Sequence, residues 1–257
     1  MTPAALHVED SGGSGEVVVL AHAIGCDSRM WDEVAPRLAQ RYRVLRMDAR
    51  GHGKSPVTPR PYSLGGLAAD YAAALDRLGA RRAHWVGLSM GGMIGQAFAL
   101  RHGDRLGRLV LANTTSSYGP DGRPNWQKRI QLVEQGGLAA IRDMVEQRYF
   151  SDDFRRDHAD VVAKVMGRFM ETPAEGYLGC CDAIAELDFS RDLARIGHRT
   201  LVIAGDLDAG TPPAMSEAIV AKIPGAKLAV IKGASHLSAA EKPQEFAALV
   251  LDFLAAP

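Results

Sequence analysis

Short apolar runs rich in valine and leucine alternate along the chain with longer segments whose apolar residues recur at helical spacing. That alternation predicts parallel strands joined by helices. The strand-like runs are AALHVED, EVVVLAHAIG, YRVLRMDARG, AHWVGLS and LGRLVLANT in the first half, then RTLVIAGDLD and AKLAVIKGASH. EVVVLAHAIG is apolar without alternation, the pattern of a strand buried on both faces. Between these runs SRMWDEVAPRLAQR, LGGLAADYAAALDRLG, MGGMIGQAFALRHG, PPAMSEAIVAKI and QEFAALVLDFLAA read as helices. Ser63 is placed to cap the second of them and Gly79 to end it.

The rhythm changes between residues 116 and 190. NWQKRIQLVEQGGLAAIRDMVEQRYF, RRDHADVVAKVMGRFME and PAEGYLGCCDAIAELD read as helical, with no valine-rich run between them. The fold expected is therefore α/β, a mostly parallel central sheet flanked by helices. Residues 1–115 and 191–257 form its core, and residues 116–190 form a helical cap, a lid inserted after the sixth strand.

One turn in this pattern carries chemistry. Gly87-Leu88-Ser89-Met90-Gly91 reads G-x-S-x-G between a strand and a helix. This is the context of a nucleophile elbow, in which a tight bend presents the serine hydroxyl beside the free N–H groups of a helix start. A serine hydroxyl needs a base to take its proton, and the base needs an acid to orient it. After the next strands come two candidate acids, Asp206 and Asp208 in AGDLDAGTPP, and then His236 in GASHLS. The other seven histidines lie in or beside regular elements, or too early in the chain to follow the acid, as His22 and His52 do. The oxyanion formed on attack needs two donors. The N–H of Met90 supplies one and the HAIG loop the other, through Ile24, with Ala23 as the neighbouring alternative.

Composition narrows the function classes. Thirty basic residues balance thirty acidic ones, so no bulk charge favours nucleic acid or an anionic membrane. GKS at 53–55 is no phosphate-binding loop, because Asp48 stands where its first glycine belongs, and no dinucleotide glycine register surrounds Ser89. Cys26, Cys180 and Cys181 have neither zinc-ligand spacing nor a disulfide framework, and read as buried thiols. The opening residues lack the basic-then-apolar pattern of a secretory signal, and no apolar run is long enough to span a bilayer, so a cytoplasmic location is expected.

With these residues in view, the chain resembles the α/β-hydrolase superfamily, through DARGHGKS, GLSMGG, GDLDAGTPP and GASHLS. More narrowly it is similar to 3-oxoadipate enol-lactonases, through YRVLRMDARGHGKSPVTPRPYSL, GLSMGGMIGQ, LVLANTTSSYG with NWQKRI, and TPAEGYLGCCDAIAELDF. One departure is Ala23, where many superfamily members have glycine after the histidine. The resemblance implies an α/β-hydrolase fold and hydrolysis of the enol-lactone to 3-oxoadipate without metal or cofactor. It also selects Asp208 as the orienting acid, from its G-x-x-D spacing after Gly205 and the Pro212 that follows. The implied substrate is a small lactone or ester carrying a carboxylate, for which Arg129 is the candidate cation, with Trp126 as an apolar wall. An esterase, another lactonase or a perhydrolase would share the same triad, and a ligand-binding receptor could share the fold. Oligomeric state is not readable from the sequence.

Overall fold

The computed structural model describes residues 2–256. The runs read as strands assemble into one seven-stranded sheet in the order β1-β3-β2-β4-β5-β6-β7. In chain order these are β1 (Val8–Asp10), β2 (Val17–Ala21), β3 (Arg43–Met47), β4 (Ala83–Leu88), β5 (Leu106–Ala112), β6 (Thr200–Gly205) and β7 (Lys227–Ile231). Only β1 pairs antiparallel, with β3; every other pair is parallel. Burial explains the order. All residues of β4 and β6 are buried, whereas the edge strands β1 and β7 are only partly covered.

Outside the segment between β5 and β6, and apart from the turn joining β1 to β2, helices connect the strands and cover the sheet. They are α1 (Ala35–Leu38), α2 (Leu64–Arg77) and α3 (Met90–Arg101) before that segment. Ser63 caps α2 by accepting from Gly66 N–H at 3.1 Å. α2 packs on α3, and α3 on β4 and β5. Trp85 of β4 joins this layer, its ring 4.9 Å from Tyr71 of α2 and 5.1 Å from Phe98 of α3. The helix expected over SRMWDEVAPRLAQR is shorter than its pattern: a 3-10 turn at Ser28–Trp31 precedes α1. Pro36 explains the split. It has no N–H to give the carbonyl of Asp32, and its ring would press on that carbonyl if the helix ran through.

The segment between β5 and β6 contains α4 (Gly122–Gly136), α5 (Arg142–Tyr149), α6 (Asp152–Asp157), α7 (Ala159–Glu171) and α8 (Ala174–Ala185). It follows the fifth strand, which corrects the expectation of a sixth, because residues 2–115 supply only five hydrogen-bonded strands. The long helical run from Asn125 to Phe150 breaks into α4 and α5 at Gly137, whose φ of 63° no continuing helix can hold. The two ends of the segment meet: Ser117 bridges Asp188, and Phe189 N–H donates to Ser116 O at 2.8 Å.

The chain closes with α9 (Pro213–Val220) against β6 and β7, the short α10 (Ser238–Glu241), and α11 (Pro243–Ala255) against α1 and β7. All three cysteines are free and buried. No described helix is long and apolar enough to cross a membrane.

Candidate active site

The elbow is built by close backbone approach. A Cβ on Gly91 would lie 2.0 Å from the carbonyl oxygen of Ala21, and one on Gly87 would lie 2.2 Å from that of Gly91. Only glycine lets α3 start this near β2 and β4. Ser89 bridges the two elements at φ 55°, ψ −116°, a strained geometry for a residue with a side chain. Its N–H donates to Ala112 O at 2.9 Å. Its carbonyl accepts from Gly92 N–H, Met93 N–H and the Thr114 hydroxyl, at 2.9, 3.0 and 2.8 Å. With its backbone so held, the side chain points at His236.

His236 follows β7, and Asp208 follows β6. Ser89 Oγ lies 2.8 Å from His236 Nε2, and His236 Nδ1 lies 2.9 Å from Asp208 Oδ2. All three side chains are buried. This network assigns the proton to Nδ1, which donates to the carboxylate and leaves Nε2 free to accept from the serine. Asp208 accepts from four further donors: Gly210 N–H at 2.7 Å, Thr211 N–H at 2.9 Å, Thr211 Oγ1 at 2.7 Å and Asn113 Nδ2 at 3.0 Å. Burial alone would push its pKa up, but the His236 ring and these donors outweigh it and hold the carboxyl at about 2. Asp206 is turned elsewhere, accepting from Gly233 N–H at 2.7 Å.

The N–H of Met90 is the first of α3, where a helix supplies no acceptor, and the N–H of Ile24 makes no hydrogen bond among the described residues. The loop carrying Ile24 is fixed from three sides. The carbonyl of Ala23 accepts from Cys26 N–H at 3.1 Å and lies 2.7 Å from His22 Nδ1. Gly25 N–H donates to His52 Nε2 at 2.9 Å, and the Tyr149 phenol donates to the carbonyl of Ile24. Burial pushes the Tyr149 phenol well above its usual pKa, so it stays protonated and donating. The same ring stacks on His236 at 6.2 Å.

Several of these supports escaped the sequence. Asn113 sits at φ 45° at the end of β5, and the Ser238 hydroxyl holds its amide by donating to Oδ1 at 2.6 Å. Its place at a strand end beside Asp208 was a usable signal. Tyr149 and Thr211 gave none, because their roles depend on contacts across the fold. Glu241 accepts from Ser151 N–H and Ser235 N–H, both at 2.6 Å, and so joins the turn between α5 and α6 to the His236 loop.

Arg129 and Trp126 lie on α4, both buried. The Arg129 guanidinium lies between two rings, 5.0 Å from Trp126 and 5.5 Å from Tyr177. No carboxylate pairs with it among the described residues, and its Nε has no hydrogen-bond partner. No described cluster of His, Cys, Asp or Glu could hold a metal. The arrangement can carry out nucleophilic attack by Ser89 on a carbonyl, with proton transfer through His236.

Comparison with known proteins points the same way. The sequence profile of the alpha/beta hydrolase family matches residues 18–249. 3-oxoadipate enol-lactonase 2 of Acinetobacter baylyi is 35% identical over 229 residues, 89% of this chain and 85% of that protein. Two solved structures superpose over nearly the whole chain. The enol-lactonase from Burkholderia xenovorans does so with a TM-score of 0.94 at 35% identity, covering 98% of this chain and 96% of that one. The malate-bound thermophilic esterase from Thermogutta terrifontis gives 0.92 at 31% identity, covering 97% and 92%.

Proposed function

The chain belongs to the alpha/beta hydrolase family, and from that premise we propose that it is a serine hydrolase that opens the enol-lactone of 3-oxoadipate. Ser89, His236 and Asp208 are its catalytic residues, the N–H groups of Ile24 and Met90 its oxyanion donors, and residues 116–190 its lid. The observation that carries the choice of substrate is Arg129, a buried guanidinium without a carboxylate partner. A buried charge left unpaired costs several kcal/mol, and a substrate carboxylate removes that cost. The rings of Trp126 and Tyr177 pack near the guanidinium, and its Nε has no hydrogen-bond partner, which leaves donor capacity for a carboxylate.

In the reaction, Ser89 Oγ attacks the ring carbonyl as its proton passes to His236 Nε2. The oxyanion is held by the two N–H groups. Collapse breaks the ring C–O bond, and the enol oxygen takes the proton from His236 while the acyl chain stays on Ser89. The freed enol tautomerises to a ketone, which opposes ring closure. Water, giving a proton to His236, then attacks the acyl ester, and Ser89 leaves with that proton restored. Asp208 stays ionised throughout and holds the imidazole in place.

The malate-bound esterase keeps a second reading in play, a carboxylesterase for acidic esters. Hydrolysis of 3-oxoadipate enol-lactone, p-nitrophenyl acetate and a neutral lactone, measured side by side, separates the two. The enol-lactone should have a kcat/KM at least a hundredfold above the others, and Ser89→Ala should abolish it. Arg129→Ala should raise KM for the acidic lactone tenfold or more, and far more than for the neutral ester. Comparable kcat/KM on all three substrates would leave a general esterase.

A further inference from the structure

A cavity of about 500 Å³ lies against α4 and α5, and its wall reaches the catalytic loops at Gly210, next but one to Asp208. Three cations line it: Lys128, Arg129 and Arg148. No aspartate or glutamate does. Arg148 is half-buried, and its guanidinium makes no hydrogen bond or ion pair among the described residues. Its stem is fixed against the backbone of Gly210, where an added Cβ would lie 3.0 Å from its Cγ and Cδ. Other arginines that meet a carboxylate do pair with it, as Arg29, Arg43, Arg46, Arg50, Arg60 and Arg168 do. Arg129, buried, and Arg148 line the same cavity without carboxylate counter-ions among the described residues, and a ligand with two negative groups would supply one to each.

We propose that this cavity is a dicarboxylate site, in which Arg129 takes one carboxylate and Arg148 the second. The assignment rests on the lactonase reading for its biological ligand. Opening the ring of a lactone that already carries a carboxylate creates another, so the product is a dicarboxylate where the substrate was a monocarboxylate. The new carboxylate forms at Ser89, outside this cavity, so a product molecule engages both arginines once it has moved off Ser89, and Arg148, beside the Asp208 loop, is then the residue that distinguishes it from substrate. The enzyme is consequently product-inhibited, more strongly at low ionic strength.

Calorimetric titration tests this without turnover, using adipate, a six-carbon dicarboxylate, against hexanoate, its monocarboxylate counterpart. The wild type should bind adipate at least tenfold more tightly than hexanoate. Arg148→Met should bring the ratio below threefold, and Arg148→Lys, which keeps the charge on a similar stem, should retain an intermediate preference. Thermal unfolding of both variants checks that the fold survives. Undetectable adipate binding by the wild type, equal affinity for the two ligands, or an undiminished preference in a folded Arg148→Met variant would each overturn the proposal. Absence of enol-lactone turnover with the adipate preference intact removes the lactonase reading and leaves this site standing.

Discussion

At the residue scale, the candidate site depends as much on what holds its backbone as on its reacting groups. Tyr149 shows this most directly. It donates to the carbonyl of Ile24 and stacks on His236, so one side chain fixes both the proposed oxyanion loop and the proposed base. Tyr149→Phe keeps the ring and removes only the donor. The Ile24 carbonyl then loses a buried partner, at a cost of about 1–3 kcal/mol in stability. The loop carrying the Ile24 N–H gains freedom, and kcat should fall about tenfold with KM nearly unchanged; loss of an oxyanion donor itself costs about a hundredfold or more. Steady-state kinetics beside thermal unfolding makes the check. A lowered Tm with wild-type kcat would reduce Tyr149 to a packing residue. No periodicity in RDMVEQRYF singles out Tyr149, because its partners come from the loop after β2 and the loop after β7.

At the element scale, the parts legible in the sequence were those set by local chemistry. The apolar runs gave the strands, Ser63 gave the cap of α2, and the glycines around Ser89 gave the elbow. Where the reading erred, a single residue overrode a periodic pattern. Pro36 shortened one helix and Gly137 cut another in two, although the hydrophobic spacing runs on through both. The elbow also makes a quantitative prediction. Gly91→Ala places a methyl group 2.0 Å from the Ala21 carbonyl oxygen, an approach that only separation of α3 from β2 can relieve. Overpacking of this kind costs about 3 kcal/mol or more, and it also displaces the Met90 N–H from its position beside Ser89. Urea denaturation should therefore show a lower midpoint, and the residual folded enzyme should have a lower kcat. A stability within about 0.5 kcal/mol of wild type, the range of an ordinary surface change, would mean the elbow is looser than its contacts indicate.

At the scale of the whole molecule, the parallel sheet brings the ends of β2, β4, β5, β6 and β7 to one edge, which is why Ile24, Ser89, Asn113, Asp208 and His236 meet despite their separation in sequence. The order of serine, acid and histidine was readable, but the choice between Asp206 and Asp208 needed a resemblance, since both follow the same strand by a residue or three. Hidden behind this edge is a titratable group with consequences for the entire fold. His52 is fully buried, and burial, aided by the nearby His22 ring, lowers its pKa from 6.5 to about 3. It is therefore neutral in the folded protein, with Nε2 accepting from Gly25 N–H. The unfolded chain takes up a proton on this histidine below pH 6.5 while the folded chain does not, so stability is full above pH 6.5 and declines as the pH falls toward 3. The slope for one such group approaches about 1.4 kcal/mol per pH unit. Asp208 acts in a lower window: its depressed pKa adds stability above pH 3.8, lost only as the pH falls toward about 2. Between pH 7 and pH 4 the His52 contribution thus stands apart from that of the proposed triad. His52→Gln replaces Nε2 with an amide oxygen that can still accept from Gly25 N–H and cannot titrate. Urea unfolding of both proteins at pH 7 and pH 4 should show the variant losing about 2–3 kcal/mol less than the wild type over that interval. Equal losses would place the acid sensitivity elsewhere, with His84 and His102, whose pKa values burial also lowers, as the next residues to replace.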